Sequence, residues 1–150
     1  MSTTFQTDYV AVTRPEGWTD NSSPDVSSFI SRATLEELTI GTWKAKTLIE
    51  LKALPEMANR FLQVRAKALV ETSHGPVDIL DAAESGPRLP CVVRFTAFCK
   101  NAQVFCNALV IGYPTHLVGI TYYRYGCAEP NAAIAERSME IVTLVAVKER

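Results

Sequence analysis

Three β-prone runs joined by short links constrain the fold of this chain more than any other feature: 91–99 (CVVRFTAFC), 104–113 (VFCNALVIGY) and 117–125 (LVGITYYRY). Each is rich in Val, Ile, Phe, Tyr or Thr, the residues that fit a pleated, half-buried surface. The links, KNAQ and Pro114-Thr115-His116, are too short for a crossover, so neighbouring runs must pair antiparallel. Two-residue turns centred on Asn101-Ala102 and Pro114-Thr115 set the register. Phe98 then opposes Phe105, Ala97 opposes Cys106, Asn107 opposes Tyr122 and Leu109 opposes Ile120.

Side chains alternate across a strand, so this register sorts the meander into two faces. One carries Cys91, Val93, Phe95, Ala97, Cys99, Val104, Cys106, Ala108, Val110 and Gly112. It is apolar and mostly small, so a helix can lie close against it, and it reads as core. The other carries Thr96, Ile111, Tyr113 and Val118 together with eight candidate partner-binding residues: Arg94, Phe98, Phe105, Asn107, Leu109, Ile120, Tyr122 and Arg124. Aromatic and aliphatic surface mixed with two guanidinium groups and an amide is how a binding surface tends to look. Two readings stay open for this face: a terminal segment or loop covers it as a second core, or it is left bare for a partner.

The clearest helix is 55–72 (PEMANRFLQVRAKALVET). Pro55 suits the first helical position, and two rows fall at helical spacing, Met57-Phe61-Val64-Ala68 and Ala58-Leu62-Leu69. His74-Gly75-Pro76 is its stop signal. A strand follows at 77–82 and a turn at 84–90. Upstream, 5–13 reads as one strand, 17–31 as a Ser/Asp/Asn/Pro-rich loop or crossover, and 38–54 as two short strands, 38–43 and 46–52, broken at Gly41. A second helix is expected over 131–147, with Asn131 as N-cap and Ile134, Ser138, Ile141 and Val145 as its buried stripe. Strands, a helix, four strands and a helix predict an α+β fold: an antiparallel sheet with two main helices packed on it.

At 150 residues the chain is expected to form one domain, 1–150. A net charge of −1 with no block of like charges argues against nucleic acid as partner. No basic-then-apolar leader opens the sequence and no window approaches 18 apolar residues, so no signal peptide and no integral membrane segment are expected. Free cysteines then suggest a cytoplasmic setting.

Catalytic and metal motifs are not found. Cysteines at 91, 99, 106 and 127 match no zinc spacing. Cys91, Cys99 and Cys106 read as small buried residues, and Cys127 as an exposed loop thiol. His74 and His116 sit at chain breaks, where exposure is the ordinary outcome. Asp78 and Asp81 should face opposite sides of their strand, and Glu36-Glu37 reads as solvated surface or a helix first turn. No nucleophile elbow, phosphate loop or zinc-helix motif occurs. No catalytic residue, metal or cofactor is therefore assigned, and a non-enzymatic role is expected. Trp18 reads as an anchor pinning its loop to the core.

The entry strand leading into Arg14-Pro15-Glu16-Gly17-Trp18, the strand at 47–52, the helix from Pro55, the strand at 77–82, the Ser85-Gly86-Pro87-Arg88-Leu89-Pro90 turn, the meander and the closing helix follow one another in an order that resembles the PsbP-like superfamily. That group includes the photosystem P-subunit, the Ran-binding Mog-type proteins, the bacterial DcrB-type proteins and the mycobacterial LpqN-type lipoproteins. The resemblance rests on the order of elements, with only the Pro-Glu-Gly-Trp entry at residue level. It implies an α/β sandwich and mostly non-enzymatic binding of other proteins. Among DcrB-type members, Eag chaperones of type VI secretion cradle apolar effector segments, and some immunity proteins use the fold. The leading expectation is a protein-binding module, an immunity protein or effector chaperone of a bacterial secretion system, whose partner is a secreted effector or toxin. Phe98, Phe105, Leu109, Ile120 and Tyr122 would be its anchors, and Arg94 and Arg124 its hydrogen-bonding cations. The alternatives are a small-molecule-binding protein or enzyme with a pocket on the same face, and a homo-oligomer whose interface is that face.

Overall fold

The computed structural model describes residues 3–24, 26–73 and 75–149. The meander is strand β7 (Cys91–Cys99), β8 (Val104–Tyr113) and β9 (His116–Arg124), with both predicted registers in place: Phe98 opposite Phe105, and Asn107 opposite Tyr122. It forms the middle of a seven-stranded sheet. Beyond β9 lie β5 (Glu36–Lys44), β4 (Ser27–Ser31) and the short β3 (Thr19–Asp20); beyond β7 lies β6 (Val77–Glu84) as the outer strand. Each pairing in this sheet is antiparallel.

Helix α1 (Leu54–Ser73), entered through a 3-10 turn at Leu51–Ala53, packs on the small-residue face. Leu54, Ala58, Leu62 and Leu69 meet Cys91, Val93, Phe95, Ala97, Cys106, Ala108 and Val110 in one buried cluster. Of the two helical rows, Ala58-Leu62-Leu69 is the buried one. Val64 and Ala68 face solvent, because the sheet-facing arc of the helix has room for only one full row. The stop signal at His74 lies outside the described residues.

The opposite face is covered. Helix α2 (Ala132–Val142) and a three-stranded sheet of β1 (Thr3–Gln6), β2 (Val10–Arg14) and β10 (Val145–Val147) lie on it. Val10, Val12, Ile141, Val142 and Val145 close over Phe98, Phe105, Val118, Ile120 and Tyr122. Trp18 is buried in this cluster, the anchoring role expected of it. The result is a layered α/β sandwich with a helix on each side of the main sheet.

Four segments depart from the sequence reading. The expected strand 5–13 is a hairpin, because the Thr7 hydroxyl accepts hydrogen bonds from the Tyr9 and Val10 amides and turns the chain there. The expected loop 17–31 contains β3 and β4. The segment 38–54 holds one strand that runs straight through Gly41, followed by irregular chain and the 3-10 turn. The expected helix 131–147 stops at Val142, where the Thr143 amide bonds back to the Ile141 and Met139 carbonyls. Val145 is buried as foreseen, but in β10 paired to Val12.

Asn131 caps α2 as predicted, its side-chain oxygen accepting from the Ile134 amide at 2.9 Å. Asn131→Ala is expected to cost about 1 kcal/mol in a urea unfolding titration, the ordinary worth of such a cap.

Candidate functional site

What remains open on the covered face is a groove of 390 Å³ between the N-terminal half of α2 and the outer strand β6. Thr96, Phe105 and Asn107 form its floor; Leu80, Asp81 and Arg94 form one wall, and Pro130, Ala132, Ala135 and Met139 the other. Meander alternation puts the floor residues on this side, and the cap at Asn131 fixes where the helical wall begins. Leu80 and Met139 stand on the two walls at 46% and 41% exposure, large apolar side chains left in water. The far edge of β6 pairs with no strand among the described residues.

A bulge shapes the outer wall. The register shifts between Ile79 and Asp81, leaving Leu80 as the inserted residue. Asp78 consequently lies opposite Phe98 and Asp81 opposite Thr96, so both aspartates belong to the α2 side of the sheet, not to opposite sides as simple alternation predicts. Asp81 pairs with Arg94 at 3.1 Å, and Arg94 also reaches Met139 Sδ at 4.0 Å. On the floor, the Asn107 amide donates to Ser138 Oγ at 3.0 Å and to Met139 Sδ at 3.3 Å, and Ser138 passes its own proton to the Ala135 carbonyl. Asn107 Oδ1 is buried and finds no donor.

A second polar network clamps α2 from its other flank. Glu36, buried, accepts from Tyr122 Oη at 2.6 Å and from Arg137 Nε and Nη2 at 3.0 and 3.3 Å. Burial alone would raise the Glu36 carboxyl, but hydrogen bonds from Arg137, Thr34 and Tyr122 outweigh it and hold it below the ordinary glutamate value. Burial and the neighbouring Glu36 push the Tyr122 hydroxyl up, so it stays a donor. Glu36 is thus a structural carboxylate, not solvated surface or a helix first turn.

The eight sequence-predicted residues separate. Arg94, Phe105 and Asn107 meet in the groove. Phe98, Ile120 and Tyr122 are sealed under α2 and the small sheet, and Phe105 is only 1% exposed, so the face they share is a second core and not an open anchor surface. Leu109 is half-buried against that core, and Arg124 lines a separate shallow cleft with Cys127 and Ile134. Leu80, Asp81 and Met139 were missed.

Both loop expectations for isolated groups also change. His116 is fully buried, its ring nitrogens bonded to Thr115 Oγ1 and the Lys148 carbonyl at 2.8 Å each, because β10 draws the C-terminal strand over it. Cys127 is buried, its thiol donating to the Glu129 carbonyl.

No family model and no curated protein sequence matches this chain. Among solved structures, the solution structure of cyanobacterial PsbP (CyanoP) from Synechocystis sp. PCC 6803 superposes with a TM-score of 0.62 at 17% identity, over 99% of this chain and 92% of that one. The fold is PsbP-like. At that identity the likeness extends to the PsbP-like fold alone. A crystal structure from Bacteroides thetaiotaomicron VPI-5482 aligns more loosely, with a TM-score of 0.48 at 10% identity over 94% of this chain and 46% of that one, and nothing is inferred from it. Among the described residues, no helix is long and apolar enough to cross a membrane.

Proposed function

We propose that this chain is a non-catalytic protein-binding module that seats a segment of its partner in the groove between α2 and β6. One observation carries the reading: Leu80 and Met139, both large, apolar and exposed, form opposite walls of a groove beside an unpaired strand edge. Contiguous apolar surface of this kind is costly to leave in water and is what a partner side chain would desolvate. The edge of β6 offers main-chain donors and acceptors to an extended segment, and Asn107 Oδ1 awaits a donor on the floor. The setting comes from the family resemblance: the partner is a secreted effector or toxin, and the chain its chaperone or immunity protein.

Leu80→Glu with Met139→Glu is expected to weaken partner binding at least about tenfold, since two anchors become charged. The same pair of changes should leave unfolding within about 0.5 kcal/mol, as both sites are exposed. Titration calorimetry against the partner, beside a urea melt, reads both. A second reading, a small polar ligand in the same groove, has the unpaired Asn107 oxygen in its favour. It predicts instead that Asn107→Asp abolishes binding while the wall variants leave it unchanged.

A further inference from the structure

The other side of the main sheet carries a cation with no counterpart. Arg65 lies on the arc of α1 one turn after Phe61 and one before Leu69, and its guanidinium rests on a paired glycine floor. Gly41 and Gly119 are direct cross-strand partners. A Cβ on Gly41 would meet Arg65 Nη2 at 2.6 Å, and one on Gly119 would meet Nε and Nη2 at 2.8 Å each. Any larger residue at either position would push the guanidinium off the sheet. The Phe61 ring flanks it at 5.2 Å.

Among the described residues, Arg65 makes no hydrogen bond or ion pair, and its Nε is buried and unpartnered. Burial accordingly holds the guanidinium below the ordinary arginine value. Two residues along β9 from Gly119, on the same face, Thr121 is 1% exposed and its hydroxyl also has no partner. A desolvated cation and a desolvated hydroxyl on one patch of sheet are each unfavourable alone and are both satisfied by a single anionic group. A cavity of 510 Å³ adjoins them, lined by Thr39 opposite Thr121, by Leu69 and Val104, and by Tyr123 and Tyr125, whose rings stack at 6.0 Å. Its one carboxylate, Glu37, is engaged by Tyr125 Oη and Ser28 Oγ. It stands four residues from Gly41, about 13 Å along the strand, clear of the guanidinium.

We propose that this patch is a second binding site, taking a small aromatic or aliphatic carboxylate whose anionic head sits on Arg65 and Thr121 and whose body lies against Leu69, Val104, Tyr123 and Tyr125. An apolar-walled cavity with a few convergent polar groups is the ordinary form of such a site. It lies across the sheet from the α2 groove and does not depend on the role given to that groove.

The test is amide NMR titration of the full chain with phenylacetate and, separately, its uncharged analogue phenylacetamide. Phenylacetate is expected to shift the amides of Gly119, Thr121 and Tyr123, and phenylacetamide is not. Arg65→Gln should weaken phenylacetate binding by about tenfold or more, the worth of a charge-assisted hydrogen bond, and Thr121→Val by a smaller factor. Equal shifts with the amide, no shift at these residues, or preference for inorganic phosphate would overturn the proposal. Should Arg65→Gln not fold, the acid–amide comparison on the native chain and the isosteric Thr121→Val decide it.

Discussion

Phe105→Ala is expected to destabilise the protein by about 3–5 kcal/mol, the range for truncating a fully buried phenylalanine. Phe105 is 1% exposed, directly opposite Phe98, and closed over by the cluster that Ile141, Val142 and Val145 complete. Its removal takes away ring contacts on several sides and leaves a cavity that two rigid strands cannot collapse to fill. Urea unfolding of Phe105→Ala and of Leu80→Ala gives the comparison, since Leu80 is exposed and its truncation should fall within about 0.5 kcal/mol. A loss for Phe105→Ala as small as that for Leu80→Ala would mean that α2 does not seal the face.

Arg137→Ala is expected to cost about 1–3 kcal/mol at neutral pH, because it strips a buried carboxylate of its only cationic partner. Glu36 is almost wholly buried, whereas Arg137 is about a third exposed at its side chain, so solvent screening keeps the loss below that of a fully buried pair. The pH dependence has a definite sign. Glu36 titrates below its ordinary value of 4.5 in the folded chain, so its contribution is fully present above that value and is lost as the pH falls through the lowered one. Without Arg137 that lowering shrinks. The wild-type and Arg137→Ala stabilities should therefore differ at pH 7 and converge in acid below 4.5. Parallel curves from neutral to acid would show that Arg137 acts through packing alone.

Much of the main sheet was legible in the residues because its information is local. Short links and β-branched runs set β7, β8 and β9, and even turns set their register, so the division of faces was correct to the residue. Pro55 and the Ala58-Leu62-Leu69 row gave α1 for the same reason. Non-local choices were not legible. β3, β4 and the β1–β2 hairpin are short and polar, and they are strands because neighbours complete their ladders. Val145 was rightly placed in the core but wrongly in a helix, since a buried β-branched residue suits either period. The fate of the mixed face turned on packing. Once α1 took the small-residue face, the Ile134-Ser138-Ile141 stripe of α2 had one apolar surface left to bury against, and that was the signal available.

The site was only partly legible. Arg94, Phe105 and Asn107 were named from alternation and do meet in the groove. Leu80 and Asp81 were missed because a bulge re-aims them, and a single inserted residue leaves no mark in the hydrophobic pattern. Arg65 was passed over as an ordinary helix residue, since only the pairing of Gly41 with Gly119 shows what it rests on.

Hydrogen–deuterium exchange of the chain with and without its bound partner tests the binding reading most directly. The account predicts that protection appears in two places, the β6 amides of Val77–Glu84 and the first half of α2, with the amides around Arg65 unchanged. Protection confined to other surfaces, with β6 and α2 exchanging as in the free chain, would contradict it.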